Sequence, residues 1–154
     1  MQTFYEEYLN ILQACHTDII KALDGLASAA LDWSPGAEMN SISVLVFHLT
    51  GAERYWIGDV ALQEPSNRDR DAEFKVHDLE VDVVKKRLDD NLAYARQALE
   101  KLTLQDLEES RVSSRDGHKF TVAWALLHAL EHANLHLGHI QMNRQLWEQS
   151  KGKQ

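Results

Sequence analysis

Residues that break regular structure are scarce in this chain, and that scarcity limits the folds open to it. Its 154 residues include only 7 Gly and 2 Pro. Long uninterrupted segments favour helices over a sandwich of short strands, which needs a turn every few residues. No apolar run approaches the roughly 20 residues that span a bilayer, so no membrane partner is expected. The sequence therefore predicts a fold built of long helices.

Four segments carry apolar residues at steps of three or four, which is the period of an amphipathic helix. The four predicted helices extend over about residues 3–31, 40–62, 79–102 and 121–147. Trp33-Ser34-Pro35-Gly36 forms the turn after the first helix, and either Asn40 or Ser41 caps the second. Because each apolar stripe must be buried against the others, residues 1–154 are predicted to form one all-α domain, a four-helix bundle.

The connections are less regular than the helices. Residues 63–77 combine Pro65 with mixed charges and are predicted to be an exposed connection. Thr103 to Asp106 has the spacing of a capping box, and Asp116-Gly117 indicates a tight turn. The polar tail from Gln149 to Gln154 is expected to fray.

Charge and cysteine content exclude several classes of protein. The formal net charge of -8 argues against a nucleic-acid partner, because phosphate binding needs clustered Lys and Arg. Met1 to Glu7 lacks the basic and apolar regions of a secretion signal. The single Cys15 cannot form an intramolecular disulfide, which suits a reducing cytoplasm. A cytoplasmic location is therefore expected.

Histidines are concentrated in the last predicted helix. Four of the eight lie there: His128, His132, His136 and His139. A step of four residues advances about 40° beyond a full turn, so the first three form one slanting row with His139 beside it. The same face carries apolar residues: Ala125, Ala129, Leu135 and Leu146. His48 lies in an apolar stripe of the second helix, so histidines on two helices are expected to point inward.

Inward-facing histidines suggest a metal ion. Charged imidazolium groups are costly to bury together, and neutral rings still need partners for their nitrogens. A divalent ion takes one neutral nitrogen from each ring, and two His at i and i+4 can share it. A third His from a facing helix completes a three-ligand site with an open position. Zinc, nickel and iron all accept imidazole, so the spacing does not choose the metal.

Packing without metal is the alternative that the spacing leaves open. A histidine such as His48 on an apolar stripe is often a core residue that bonds a carbonyl. Sequence spacing also does not establish that the two helices are neighbours. His16, His77 and His118 are expected at the surface or in loops, and Cys15 is expected to be an inert core residue.

Two segments carry a resemblance to a known family. Asn40 to Leu49, followed by Glu53 and Trp56, resembles the second helix of the DinB/YfiT-like metalloenzymes. Leu127 to Ile140 resembles the family's last helix, which has a His-x-x-x-His, a small residue and then a Gln-Ile-like pair. Trp33-Ser34-Pro35 is similar to the family's turn after its first helix. The likeness extends in order and spacing over nearly the whole chain.

This resemblance implies an up-down-down-up bundle with a long crossover between the second and third helices. It implies one metal ion, zinc or nickel, held by His48, His132 and His136. His128 matches a frequent family position beside the site. His139 stands where the family usually has Gln, and is expected either to support a ligand or to face a subunit interface.

The resemblance also implies a chemistry. Several members of the family join a low-molecular-weight thiol, such as bacillithiol or mycothiol, to an electrophile. The expected function is therefore a metal-dependent S-transferase for a small-molecule substrate, with Tyr55 and Trp56 shaping an apolar pocket. Glu53 is expected to be structural, and relatives commonly form homodimers.

Two other functions stay open at this stage. The protein is a non-enzymatic metal-binding bundle of a stress response if a fourth protein ligand, such as Asp59 or His128, closes the site. It is a metal-dependent hydrolase if a general base lies nearby, but Glu131 is about 100° away around the helix.

Overall fold

Four long helices carry the fold in a computed structural model that describes residues 1–152. The helices are α1 (Thr3–Leu23), α2 (Ser28–Asp32), α3 (Ile42–Arg54), α4 (Arg70–Glu73), α5 (Val81–Leu99) and α6 (Val122–Lys151). A π-helix (Tyr55–Leu62) continues α3, and a 3-10 helix (Leu104–Glu108) precedes two short antiparallel strands, β1 (Ser110–Val112) and β2 (Lys119–Thr121). The long elements are α1, α3 with its π-helix, α5 and α6. The predicted four-helix bundle is confirmed.

α1 and α6 lie side by side and run in the same direction. The Tyr8 hydroxyl donates to the carbonyl of Leu126 at 2.9 Å, near the start of both helices. Near the other end, the Arg144 guanidinium donates to the carbonyl of Ala22 at 3.0 Å. The first and last helices of the bundle are therefore parallel.

α3 has a parallel neighbour in α5 and an antiparallel neighbour in α6. Arg87 Nε donates to Thr50 Oγ1 at 2.7 Å, and one turn later in both helices Asn91 donates to Glu53. On α6, in contrast, the late residue Asn143 donates to the Asn40 carbonyl just before α3. The order is thus up-down-down-up, and residues 63–80 form the long crossover that this topology requires.

The first helix is shorter than the sequence pattern predicts. α1 ends at Leu23 rather than Leu31, and Gly25 follows with a φ of +75°. The chain then resumes helical structure in the five residues of α2. Leu31 is still fully buried, which explains why the apolar pattern continued through the break.

Predicted caps and turns agree with the structure at three places. The Ser41 hydroxyl accepts from Val44 N, and the Thr121 hydroxyl accepts from Trp124 N. Thr103 and Asp106 form the capping box. α6, however, continues to Lys151, so the tail predicted from Gln149 is helical over its first three residues. Residues 153–154 of that tail lie outside the described part of the chain.

Two connections contain structure that the sequence did not reveal. Residues 63–77 include α4, and within it Glu73 is buried. The polar segment near Asp116-Gly117 is the loop of a hairpin formed by β1 and β2. Most of residues 63–77 are exposed, as predicted, and the buried Glu73 is the exception that the sequence did not reveal.

Buried apolar residues from all four long helices form one contiguous core. The largest fully buried side chains include Tyr5, Leu12, Ile57, Leu88 and Leu126. Within residues 1–152, no helix is long and apolar enough to cross a membrane.

Candidate metal centre

Three histidines from α3 and α6 meet between the two helices. His132 Nε2 lies 3.2 Å from His48 Nε2 and 3.2 Å from His136 Nε2. Each ring offers one nitrogen to a common point, and these atoms lie within 4.8 Å of one another. No other group of three His, Cys, Asp or Glu in residues 1–152 has this geometry. The predicted set of three histidines is thus brought together by the fold.

Helical spacing and small neighbours produce this meeting. His132 and His136 are one turn apart, so their rings project from the same side of α6. Ala129 and Ala133 beside them are fully buried, which lets α3 approach closely. The face as a whole is less buried than expected, because Leu135 is 56% exposed.

Burial keeps two of these imidazoles neutral. Desolvation, reinforced by the neighbouring rings, lowers the pKa of His132 to about 3. The same causes lower the pKa of His136 to about 4. Neutral imidazole is the form that donates a lone pair to a metal ion.

The three rings do not satisfy one another's hydrogen-bonding groups. His132 Nε2 faces a nitrogen on each side, while its Nδ1 is buried without a hydrogen-bond partner among residues 1–152. A neutral imidazole has one N–H and one lone pair, so no tautomer satisfies all these positions. A divalent ion that accepts a lone pair from each Nε2 removes the competition.

The separations of His132 Nε2 from the other two nitrogens fit such an ion. A metal–nitrogen bond of about 2.0–2.1 Å places two ligand nitrogens about 2.8–3.4 Å apart at octahedral to tetrahedral angles. The two separations of 3.2 Å fall within that range. The residues present therefore fit a divalent metal.

A carboxylate from the long crossover contacts the Nδ1 atom of His48. Glu73 Oε2 lies 3.1 Å from His48 Nδ1, the nitrogen on the far side of the ring from the other two histidines. Arg68 donates to both Glu73 oxygens, at 2.6 and 2.7 Å. Burial raises the pKa of Glu73, but the hydrogen bonds from Arg68 and His48 outweigh it, so the pKa lies below its usual value. An ionised carboxylate that accepts from a ligand's second nitrogen fixes the ring and its tautomer.

A glycine on α3 makes room for this carboxylate. A Cβ at Gly51 would clash with the Glu73 carboxylate and lie 3.1 Å from Arg68 Nε. Only a residue without a side chain lets the crossover approach α3 so closely at this point. Gly51, Arg68 and Glu73 thus act together to orient His48.

A sequence model of the mycothiol S-transferase family matches residues 8–149. The chain belongs to this family. The expected likeness to the DinB/YfiT-like metalloenzymes is confirmed by that match. No curated protein sequence matches the chain.

Two solved structures share the fold of this family member at low sequence identity. A conserved protein of Enterococcus faecalis matches with a TM-score of 0.78 at 16% identity, covering 95% of this chain and 98% of that chain. YfiT from Bacillus subtilis matches with a TM-score of 0.72 at 14% identity, covering 94% and 89%. YfiT is described as a probable metal-dependent hydrolase with an unusual four-helix bundle topology. At these identities the likeness shows the fold alone.

An aromatic wall lies on one side of the three histidines in this mycothiol S-transferase family member. His128 stacks on Trp124 with ring centroids 4.7 Å apart, and its edge meets Trp56 at 5.0 Å. Phe120 stacks on Trp124 at 4.5 Å. The Tyr55 hydroxyl is 2.7 Å from the Ser113 hydroxyl and is held there. Trp56 and His128 are thus beside the site, while Tyr55 is tied to the hairpin.

No fourth protein ligand is in place within residues 1–152. Asp59 pairs with Arg54 at 3.2 Å and accepts from Ser66 N at 3.0 Å. His139 Nδ1 lies 3.3 Å from His136 Nδ1, on the back of a candidate ligand rather than beside the shared point. Glu131 is 80% exposed and near His128 alone. Within the described residues, His48, His132 and His136 are therefore the whole set of candidate protein ligands at the shared point.

One expectation about the remaining histidines was wrong. His16 is buried and not at the surface: its Nε2 lies 3.0 Å from both Glu53 oxygens, and its Nδ1 is 3.1 Å from the Leu88 carbonyl. His77 and His118 are exposed as expected. Cys15 is buried, and burial with the Glu53 and Asp18 charges raises the pKa of its thiol to about 12, which makes it unreactive.

Glu73 and Arg68 are the site residues that sequence reasoning missed. They lie in a connection without periodicity, so nothing in the pattern distinguishes them from solvated charges. The one available signal was Gly51, a glycine inside a predicted helix, which can mark a close approach of another segment.

Proposed function

We propose that this protein binds one divalent metal ion, zinc or nickel, through His48, His132 and His136, and uses it to activate a low-molecular-weight thiol for addition to an electrophile. The observation that carries the proposal is the convergence of three imidazole nitrogens, with no fourth protein ligand among residues 1–152, which leaves a coordination position for a substrate. Membership in the mycothiol S-transferase family supports the choice of a thiol.

The chain's own residues would position the reactants. An ion with an open coordination position lowers the pKa of a thiol or water that occupies it. Glu73 holds His48 in one orientation, and burial keeps His132 and His136 neutral. The aromatic wall that includes Trp56 supplies an apolar surface for the electrophile and excludes water. In the addition a sulfur–carbon bond forms and the thiol proton ends on the adduct.

Metal content is the first test. The parent, purified without chelator, should hold about one metal ion per chain by elemental analysis, and Ala variants of His48, His132 and His136 should each lose it. His139→Ala and His128→Ala are matched controls that remove a neighbouring imidazole and should keep the ion. Retention of metal in all the variants would contradict the proposed site.

Thiol transfer is the second test. The metal-loaded parent should form a thioether from mycothiol or a related thiol and an activated alkene, detected by mass spectrometry. His132→Ala should form none above the uncatalysed background. Metal binding without transfer to any electrophile would favour the non-enzymatic metal-binding bundle of a stress response.

A hydrolase is the second candidate, because YfiT is described as a probable metal-dependent hydrolase. Metal-dependent cleavage of an ester or amide in the absence of any thiol would favour it. The homodimer, the cytoplasmic location, the single domain over residues 1–154 and the absence of a nucleic-acid partner stay predictions. Exposed apolar side chains on α6 support the homodimer: Trp124, Leu127, Leu135 and Met142.

A further inference from the structure

A large cleft lies away from the three histidines. It lies between α3, α4 and α5, has a volume of about 740 Å³, and is lined by none of His48, His132 or His136. Glu73 and Arg68 line it, so this pair separates the cleft from the candidate metal centre. Its apolar walls are formed by Phe47, Ala72, Val76, Val83 and Tyr94.

Arg87 is the feature of this cleft that the fold does not explain. Its Nε donates to Thr50 Oγ1 at 2.7 Å, and its Nη2 is 3.4 Å from the Phe47 carbonyl. The guanidinium carbon lies 4.1 Å from the centre of the Phe47 ring. Burial lowers the pKa of Arg87, and the nearby Arg68 adds to the effect against the attraction of Glu73. No carboxylate pairs with Arg87 within residues 1–152, which is unusual for a half-buried guanidinium.

The other cations of the cleft already have partners. Arg68 is paired with Glu73 at 2.6 Å, and Lys86 with Asp90 at 2.6 Å. Arg54 is paired with Asp59 outside the cleft. Arg87 is thus the cation of the cleft that makes no ion pair with a carboxylate, and its Nη1 has no hydrogen-bond partner among the described residues.

We propose that the cleft between α3, α4 and α5 binds a small monocarboxylic acid with an apolar body, whose carboxylate pairs with Arg87. A guanidinium matches a carboxylate through two parallel hydrogen bonds, and the apolar walls accept the rest of the ligand. One unpaired positive charge beside Asp69, Glu73 and Asp90 favours a single negative charge over a phosphate dianion. This site is separate from the proposed thiol chemistry and stands without it.

Benzoate is a suitable probe, with benzyl alcohol as the uncharged ligand of the same shape and inorganic phosphate as the dianion. Titration of the full chain, followed by NMR shifts at Phe47 and Tyr94, should give saturable benzoate binding in the millimolar range or tighter. Benzyl alcohol and phosphate should bind at least about tenfold more weakly. Phosphate binding as tightly as benzoate, or no saturable benzoate binding, would overturn the inference.

Because carboxylates also bind metal ions, variants must show whether benzoate binds in the cleft or at the candidate metal centre. Arg87→Met should weaken benzoate binding about tenfold or more, whereas Lys86→Met removes a charge from the same cleft and should leave it nearly unchanged. His132→Ala should bind benzoate as the parent does. Loss in His132→Ala with retention in Arg87→Met would assign the carboxylate to the metal centre and refute the cleft. If Arg87→Met fails to fold, Arg87→Lys replaces it in the test. This variant keeps the charge and the aliphatic stem, and its affinity for benzoate should be lower than that of the parent.

Discussion

At the scale of single residues, the surroundings fix the charge states of His132, His136 and Glu73 at the candidate metal centre. Burial lowers the pKa of His132 and His136, so both rings are neutral at pH 7. Two hydrogen bonds from Arg68 keep Glu73 ionised despite its burial. Two neutral donors on α6 and a carboxylate beside His48 Nδ1 suit metal ligation.

Removal of the charge on Glu73 should weaken metal binding without abolishing it. In Glu73→Gln the His48 ring loses its anionic acceptor, and we expect metal affinity to fall by about 10–100-fold. Competition titration against a chromogenic chelator measures this. Glu131→Gln removes a carboxylate that is 80% exposed and should have no effect. Equal affinity in Glu73→Gln and the parent would show that Glu73 does not orient the ligand.

Glu53 should prove structural, because it is fully buried and bonds His16 and Asn91 on two other helices. Glu53→Ala leaves a buried imidazole and amide without their acceptor, and we expect a loss of about 3–5 kcal/mol in the free energy of unfolding. Urea denaturation measures this, and elemental analysis of the folded fraction should still find the parent's metal content. Metal loss with unchanged stability would instead place Glu53 in the site.

At the scale of elements, the long helices and the three candidate ligands followed from the sequence because both depend on local periodicity. The i and i+4 spacing of His132 and His136 is such a pattern, and the apolar stripe around His48 is another. What depends on contacts between distant segments did not follow. Glu73 reaches His48 through a crossover without periodicity, and His16 is buried because Glu53, on another helix, accepts from it. The family resemblance, and not the spacing of the histidines, predicted that α3 and α6 are neighbours.

The close approach of the crossover to α3 can be tested at one glycine. In Gly51→Ala the new methyl group meets the end of the Glu73 side chain, which is flexible and can move away. We therefore expect metal affinity to fall by about 10–100-fold as His48 loses its support. The free energy of unfolding should also fall, by about 1–3 kcal/mol, because displacement of the buried Glu73 carboxylate weakens its hydrogen bonds with Arg68.

Gly138→Ala on α6 is the matched control for this substitution. A Cβ there meets nothing within 4 Å, so only the helix preference of alanine acts. The free energy of unfolding should rise by about 0.5–1 kcal/mol with no change in metal affinity. The same loss of metal affinity in both variants would show that the space which Gly51 leaves for Glu73 is not what supports metal binding.

At the scale of the whole molecule, topology brings the site together. Because α3 and α5 run in the same direction, the chain must return along the bundle between them, and that return carries Arg68 and Glu73 past α3. Because α3 and α6 are antiparallel neighbours, His48 meets a ring from each of two turns of α6. A bundle with short connections would have no crossover to supply the carboxylate.

The stability of the metal-free protein should depend on pH with opposite signs from two groups of histidines. The folded-state pKa values of about 3 for His132 and about 4 for His136 lie below their ordinary value. The unfolded chain therefore binds more protons, and the free energy of unfolding should fall as pH decreases from about 7 to about 5. His16 acts the other way: burial lowers its pKa, but the charge and hydrogen bond of Glu53 raise it by more, so the pKa in the folded protein is above its ordinary value. The stabilisation from His16 is therefore complete below its ordinary pKa and is lost as pH rises through the folded-state pKa.

Urea midpoints with excess chelator at about pH 7, 6 and 5 measure the acid-side dependence. The parent's midpoint should fall across this range, which lies above the lowered pKa of Glu73, so that carboxylate does not contribute. In a His132→Ala and His136→Ala double variant the fall should shrink or reverse, because only the His16 contribution of opposite sign is left. If the double variant loses stability with acid as steeply as the parent, His132 and His136 are not buried in the neutral form, and the support that two neutral rings give to metal binding is lost.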